Sequence, residues 1–211
     1  MKVLLLGATG LVGSNALERA LTHPSISAVI APTRKALPRN EKLSNPVSPQ
    51  LELLLPEVAT WEVDAVICAM GTTIGKAGSE EAFRQVDYVL PLGFGRLAHE
   101  RGAETFALVS AIGASVRSHF FYAKTKGEVE RDIQHIGFKS LTVLRPSMID
   151  GKRDEFRFAE SVVLGLSHFL GPILPRRFRV NPASKIAEVL VNAVVASEPG
   201  CHFLYSDSLA E

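Results

Sequence analysis

The chain has 211 residues, 46% hydrophobic, 21% charged and 7% aromatic. That balance suits one globular domain whose core is large enough to need neither disulfides nor metal. Lys+Arg is 23 and Asp+Glu is 22, for a formal charge of +1, which argues against a general nucleic-acid binder, and no run of about 18 uncharged apolar residues exists to form a membrane span.

Lys2–Leu6 reads as a strand, Leu11–Leu21 as a helix and Ser27–Ala31 as a second strand. Residues 32–50 carry Pro32, Pro38, Pro46 and Pro49 and read as a loop. Leu51–Leu55 is a candidate third strand and Asp64–Met70 a fourth. A long helix is expected over Glu80–Arg101, a fifth strand over Glu104–Val109, a helix over Phe120–Ile136 and a sixth strand over Ser140–Arg145. Beyond these come a helical stretch near Glu155–Leu170, a Pro/Gly break at Gly171–Pro175 and a helix near Ala183–Ala196. The strands are rich in Val, Leu and Ile without apolar/polar alternation, as strands covered on both faces are. Strands alternating with helices predict an α/β fold, a doubly wound parallel sheet. The expected organisation is a single domain over residues 1–211, with residues 147–211 forming a small substrate-side annex.

The first strand runs into Gly7-Ala8-Thr9-Gly10-Leu11-Val12-Gly13. Glycines here let the chain turn sharply and bring backbone amides to a pyrophosphate, with the following helix pointing its N-terminus at the same charge. Placed between a strand and a helix, the triplet is a strong dinucleotide-binding signal. NAD sites commonly place an acid about 20 residues further on to hold the adenosine ribose. Between Glu18 and Glu41 there is no Asp or Glu, and the second strand is followed by Thr33-Arg34-Lys35. A guanidinium there can fork onto a 2′-phosphate, which predicts NADP(H) over NAD(H). Gly71-Thr72-Thr73-Ile74-Gly75-Lys76 only superficially resembles a triphosphate loop, which needs four residues between its glycines and Ser or Thr after the Lys. Ala69, Met70, Gly71 and Thr72 instead follow the fourth strand, where the chain would pass the cofactor.

Tyr122 and Lys126 are four apart on an expected helix and share a face. A nearby ammonium favours the phenolate, so the pair can move a proton to or from a carbonyl or alcohol while a nicotinamide handles the hydride.

These residues resemble the atypical branch of the short-chain dehydrogenase/reductase superfamily, and in particular the Tat-interacting-protein-like oxidoreductases. The resemblance is carried by Gly7–Gly13, Cys68–Gly78, Val86-Asp87-Tyr88, Tyr122–Glu130 and Leu144-Arg145-Pro146. It covers residues 1–155 well and the remainder loosely. It implies a Rossmann fold, NADP(H) binding, a Ser–Tyr–Lys catalytic set, Lys126 on the nicotinamide ribose, and a nicotinamide-lining loop after Pro146. The family often ends the fifth strand in two small hydroxyl residues, the second catalytic; here the pair is Ser110-Ala111. Ser110 is the candidate, with Ser115 as a substitute or loss of the serine function as alternatives.

The six histidines are scattered and no Cys-x-x-Cys occurs, so no metal site is expected. No Gly-x-Ser-x-Gly elbow is present for a hydrolase. Cys68 reads as a buried free thiol rather than half of a bridge to Cys201, and the start at Met1–Leu6 is too short for a signal core; both point to a reducing, cytoplasmic compartment. Val162–Leu174 is an apolar segment suited to the core, a wall of the substrate pocket, or an oligomer or membrane-surface contact, and Arg176, Arg177 and Arg179 follow it as a solvated turn or an anion contact. The expected activity is NADP(H)-dependent oxidoreduction of a small carbonyl/alcohol pair. The alternative is a catalytically weak NADP(H) sensor contacting a regulatory protein partner, and a homodimer is compatible with either. Only 65 residues follow Pro146, thin for a nucleotide-sugar lobe.

Overall fold

The computed structural model describes residues 1–150 and 180–209. Its elements in order are β1 (Lys2–Leu6), α1 (Leu11–Thr22), β2 (Ala28–Ile30), β3 (Leu43–Ser44), a 3-10 helix (Leu51–Thr60), β4 (Ala65–Cys68), α2 (Ile74–Ala77), α3 (Glu80–Arg84), a π-helical turn (Gln85–Val89), α4 (Leu90–Glu100), β5 (Thr105–Val109), α5 (Phe121–Ile136), β6 (Ser140–Arg145), β7 (Ile149–Asp150), β8 (Asn181–Pro182), α6 (Ala183–Ala196), β9 (Gly200–Tyr205) and a closing 3-10 turn (Ser206–Leu209). One parallel seven-stranded sheet runs in the order β3-β2-β1-β4-β5-β6-β9. β7 and β8 form a separate parallel pair. The strand order reverses between β1 and β4, the switch point where open α/β sheets bind ligands.

Successive strand residues serve opposite faces. Val3 and Leu5 join one core with Ala16, Ala20, Ile186 and Leu190 from α1 and α6. Leu4 and Leu6 join another with Phe94, Val129 and Ile133 from α4 and α5. Both faces are therefore dry, which is why the strands lack polar alternation.

Three expected elements differ. Leu51–Leu55 is not a strand but the start of the 3-10 helix, which buries Leu54 and Val58 and holds Pro56 inside it. The edge position goes to Leu43–Ser44 within the proline-rich stretch, paired to Val29 and Ile30. The expected single helix over Glu80–Arg101 is interrupted by the π turn, where the Leu90 amide bonds back five residues to the Gln85 carbonyl. Pro91 supplies the reason: it has no N–H to give the Asp87 carbonyl, and its ring would strike that carbonyl in a regular helix. A seventh main strand, Gly200–Tyr205, lies parallel beside β6; its half-exposed edge position and short Phe203-Leu204-Tyr205 run set no clear period. Of the stretch expected as an annex, Ala183–Tyr205 supplies a flanking helix and an edge strand of the main sheet. Glu155–Leu170, Gly171–Pro175, Val162–Leu174 and the three arginines lie outside the described residues.

The chain leaving β6 is held by Asn181, which is fully buried. Its Oδ1 accepts from the Ser147 amide at 3.0 Å and from Ser206 Oγ at 2.9 Å, while its Nδ2 donates to the Ser206 carbonyl at 2.8 Å. Asn181→Ala would strand buried polar groups on both segments. It should cost about 2–3 kcal/mol in urea unfolding, with the denaturant slope unchanged.

Candidate active site

Gly7, Ala69, Ser110 and Pro146 follow the ends of β1, β4, β5 and β6, four neighbours in the sheet, so these positions gather on one edge. At the first, Gly7 has φ +85°. A Cβ on it would lie 2.7 Å from the backbone of Ala69, and a Cβ on Gly13 would lie 1.9 Å from the Gly7 carbonyl oxygen. The Gly10 amide donates to that oxygen at 2.9 Å. α1 then starts at Leu11 with no capping side chain and no acid in its first turn. Val12 and Gly13 are buried and Thr9 is exposed. The result is a cradle no side chain could share, beside a helix N-terminus free of negative charge, which fits a pyrophosphate.

Arg34 and Lys35 follow β2 on the same edge, both exposed. Their loop is pinned by Asn45, which had not stood out among the prolines around it. Asn45 Nδ2 donates to the Ala31 carbonyl at 2.6 Å and to Thr33 Oγ1 at 2.8 Å, and its Oδ1 accepts from the Leu37 amide at 2.8 Å.

At β4, the Ala69 amide donates to the Leu6 carbonyl at 3.0 Å, Met70 is buried, and Gly71 faces the centre of the site. A Cβ on Gly71 would lie 3.4 Å from Asp87 Oδ1 and 3.7 Å from Lys126 Nζ. Those two groups form an ion pair 2.7 Å long with almost no exposed surface on either side chain. Asp87 Oδ2 accepts from the Thr72 amide at 2.8 Å. Burial works against the Lys126 ammonium, but the Asp87 carboxylate and the Tyr122 phenol oppose it, and its affinity for the proton ends above the ordinary lysine value. Asp87 falls in the Val86-Asp87-Tyr88 segment of the resemblance, which gives it no role. An acid set among Val86, Val89 and Leu90 was the available signal, because buried carboxylates need a partner.

At β5, the Ser110 amide donates to the Leu144 carbonyl at 2.8 Å. Its Oγ is buried and has no hydrogen-bond partner among the described residues. Ser115, by contrast, is exposed, and its Oγ accepts from the Arg117 amide at 3.2 Å. Thr125 Oγ1, one residue before Lys126, is also buried and has no partner among the described residues.

Tyr122 stands in the first turn of α5, 38% exposed, tilted against Phe83 with ring centroids 5.6 Å apart. The loop carrying Ser115 lies against this helix because Gly127 has no side chain: a Cβ there would meet the Ser115 backbone at 2.3 Å. At β6, Pro146 is buried and its carbonyl accepts from the Ile112 amide at 2.9 Å. Ile149 packs against the core on the α1/α6 face.

No protein-family model matches the chain. It is 37% identical over 164 residues to "Protein FMP52, mitochondrial" of Candida albicans, covering 74% of this chain and 70% of that protein. It is 34% identical over 208 residues to "Protein fmp52, mitochondrial" of Aspergillus niger, covering 94% and 88%. The chain belongs to the FMP52 family. Among solved structures, the sheet is similar to that of the Bordetella bronchiseptica enzyme WbmH in complex with NAD+ (TM-score 0.73, 15% identity, 97% of this chain and 75% of that one). A short chain dehydrogenase family protein from Francisella tularensis matches over 100% of this chain and 99% of its own (TM-score 0.69, 12% identity). The Rossmann fold and FMP52 membership agree with the atypical short-chain dehydrogenase/reductase resemblance. The expected cytoplasmic compartment is overturned, because the FMP52 relatives are named mitochondrial proteins. Cysteine count and an apolar N-terminus carry no information that separates the two settings.

Cys68 lies in β4 beneath the ion pair, and burial pushes its thiol up to about 11. Cys201 is exposed. Alkylation of the native protein at pH 8.5, read by mass spectrometry, should label Cys201 first and Cys68 roughly tenfold more slowly or less, until the chain is unfolded.

Proposed function

We propose that this chain binds NADP(H) and interconverts a small uncharged carbonyl compound and its alcohol. The observation that carries the reading is the gathering of these groups at adjoining strand ends beside the switch point. The glycine turn rests on Ala69, the same strand end continues through Gly71 to Lys126 Nζ, and the unpartnered Ser110 hydroxyl ends the neighbouring strand. The cradle and the orphaned hydroxyl fit a dinucleotide lying along the strand ends. Gly7, Gly10, Leu11, Val12 and Gly13 would take the pyrophosphate, Ala69, Met70, Gly71 and Thr72 the central stretch, and Lys126 and Pro146 the nicotinamide end. The bound nicotinamide supplies the hydride exchange.

The chain's own residues supply the rest. Ser110 Oγ, with no hydrogen-bond partner among the described residues, is available to donate to a substrate carbonyl. Tyr122, at the mouth of the site, moves the proton to or from the alcohol oxygen. Lys126 would hold the nicotinamide ribose. The NAD written into the description of WbmH belongs to that enzyme. For this chain the acid-free interval after Glu18 and the exposed Arg34 and Lys35 favour the 2′-phosphate. From the relatives' names we infer a mitochondrial setting.

Ala111 supports a second reading, a catalytically weak NADP(H) sensor with a regulatory protein partner or a second copy of itself. Tyr122→Phe separates the two. In an enzyme it should abolish NADPH turnover with small aldehydes and ketones while leaving NADPH affinity within about twofold. A wild-type protein that binds NADPH but turns over none of them supports the sensor.

A charge-assisted bond to phosphate is worth about 1.5–3 kcal/mol. Arg34→Ala should therefore weaken NADPH about ten- to a hundredfold in calorimetry and leave NADH almost unchanged. Equal losses for both would overturn the NADP(H) preference.

A further inference from the structure

We infer that Asp87 is a positioning residue for Lys126: it keeps the buried amine charged and fixed between the β4 strand end and α5. The inference deepens the proposed function, since it rests on Lys126 serving a bound nucleotide, but its first readout needs no nucleotide.

Three independent observations carry it. The first is depth. Both side chains are withdrawn from water, and an ammonium there without a counter-ion would shed its proton. The charged or titratable groups acting on Lys126 are Asp87 from the π turn, Cys68 from β4 and Tyr122 from α5 itself. Of these Asp87 is the acid in contact.

The second is the sharing of the carboxylate. Oδ1 faces Nζ and Oδ2 takes the Thr72 amide, so one group fixes both the cation and the loop that follows β4. The third is how Asp87 is placed. It lies four residues before Pro91, whose ring excludes a regular helix there, and the π turn that results holds the acid. π turns of this kind gather at functional sites. Gly71 lies beside both members of the pair, a Cβ there coming to 3.4 Å from Asp87 Oδ1 and 3.7 Å from Lys126 Nζ.

The test uses the full chain labelled with 13C at lysine Cε and titrated by NMR from pH 6 to 10.5, the Lys126 signal being assigned by its loss in Lys126→Met. Wild-type Lys126 should stay charged over most of that range. In Asp87→Asn its midpoint should fall by about 2 pH units or more. An unchanged Lys126 midpoint in Asp87→Asn would overturn the inference. NADPH affinity by calorimetry is the second readout. It should drop about tenfold across the new midpoint in Asp87→Asn, and stay flat with pH in Lys126→Met and in the double variant, which a merely structural defect would not produce. If Lys126 titrates but affinity does not follow, the inference about Asp87 stands and the ribose-holding role of Lys126 fails. Should Asp87→Asn not fold, Asp87→Asn/Lys126→Met decides. Recovery of the native circular dichroism shows that Asp87 serves the buried ammonium, and continued unfolding overturns it.

Discussion

The site depends on the absence of a methyl group at two positions. Gly13 leaves no gap between α1 and the Gly7 carbonyl, and Gly7 leaves none between the turn and Ala69. With that space closed, the turn after β1 must leave the sheet at the switch point, and α1 must start there with its amide end over the strand edge. α6 then packs beside α1 and closes that face of the sheet. An added Cβ at Gly13 would lift the helix by more than an ångström, and the amides would no longer line up with anything held at β4. Backbone proximity at this turn is thus a constraint on the whole edge, not a local preference of glycine.

The other half of the site is positioned by charge. α5 carries two buried ionic groups four residues apart, Lys126 and Glu130, and each is paired to a different element. Lys126 meets Asp87 of the π turn. Glu130 takes the Arg145 guanidinium at the end of β6 through Nε at 3.0 Å and a second, shorter bond. Arg145 in turn lies 4.8 Å from the Phe203 ring centroid, on β9. Buried pairs add little net stability, because desolvation cancels most of the attraction, but a shifted register would strand charges in the core. The two pairs therefore act as a key. α5 can slide or rotate on the sheet only by breaking both, and Tyr122 inherits its place from that register.

The fold was legible wherever one physical signal dominated. Lys2–Leu6, Ser140–Arg145 and Ala183–Ala196 read correctly because apolar runs or helical periodicity went unopposed. Leu51–Leu55 misled because an apolar run of that length suits a strand or a helix equally, and Pro56 should have weighed against a strand. The edge strands Leu43–Ser44 and Gly200–Tyr205 were hidden because an edge needs partners more than composition. At the site, Gly7–Gly13 and the Tyr122/Lys126 spacing stood out as local patterns. Asp87 and Asn45 did not, since each acts on residues 39 and 14 positions away or fewer, through bonds that no local spacing encodes.

The pairing of Lys126 changes how the tyrosine–lysine pattern works here. A bare ammonium beside a phenol acts as a single positive charge, and its field reaches several ångströms through a low-dielectric interior. With the Asp87 carboxylate 2.7 Å from Nζ, Tyr122 sees a closely spaced pair of opposite charges, whose field falls off faster with distance. On this geometry Lys126 acts on Tyr122 as one half of a buried ion pair rather than as a bare cation.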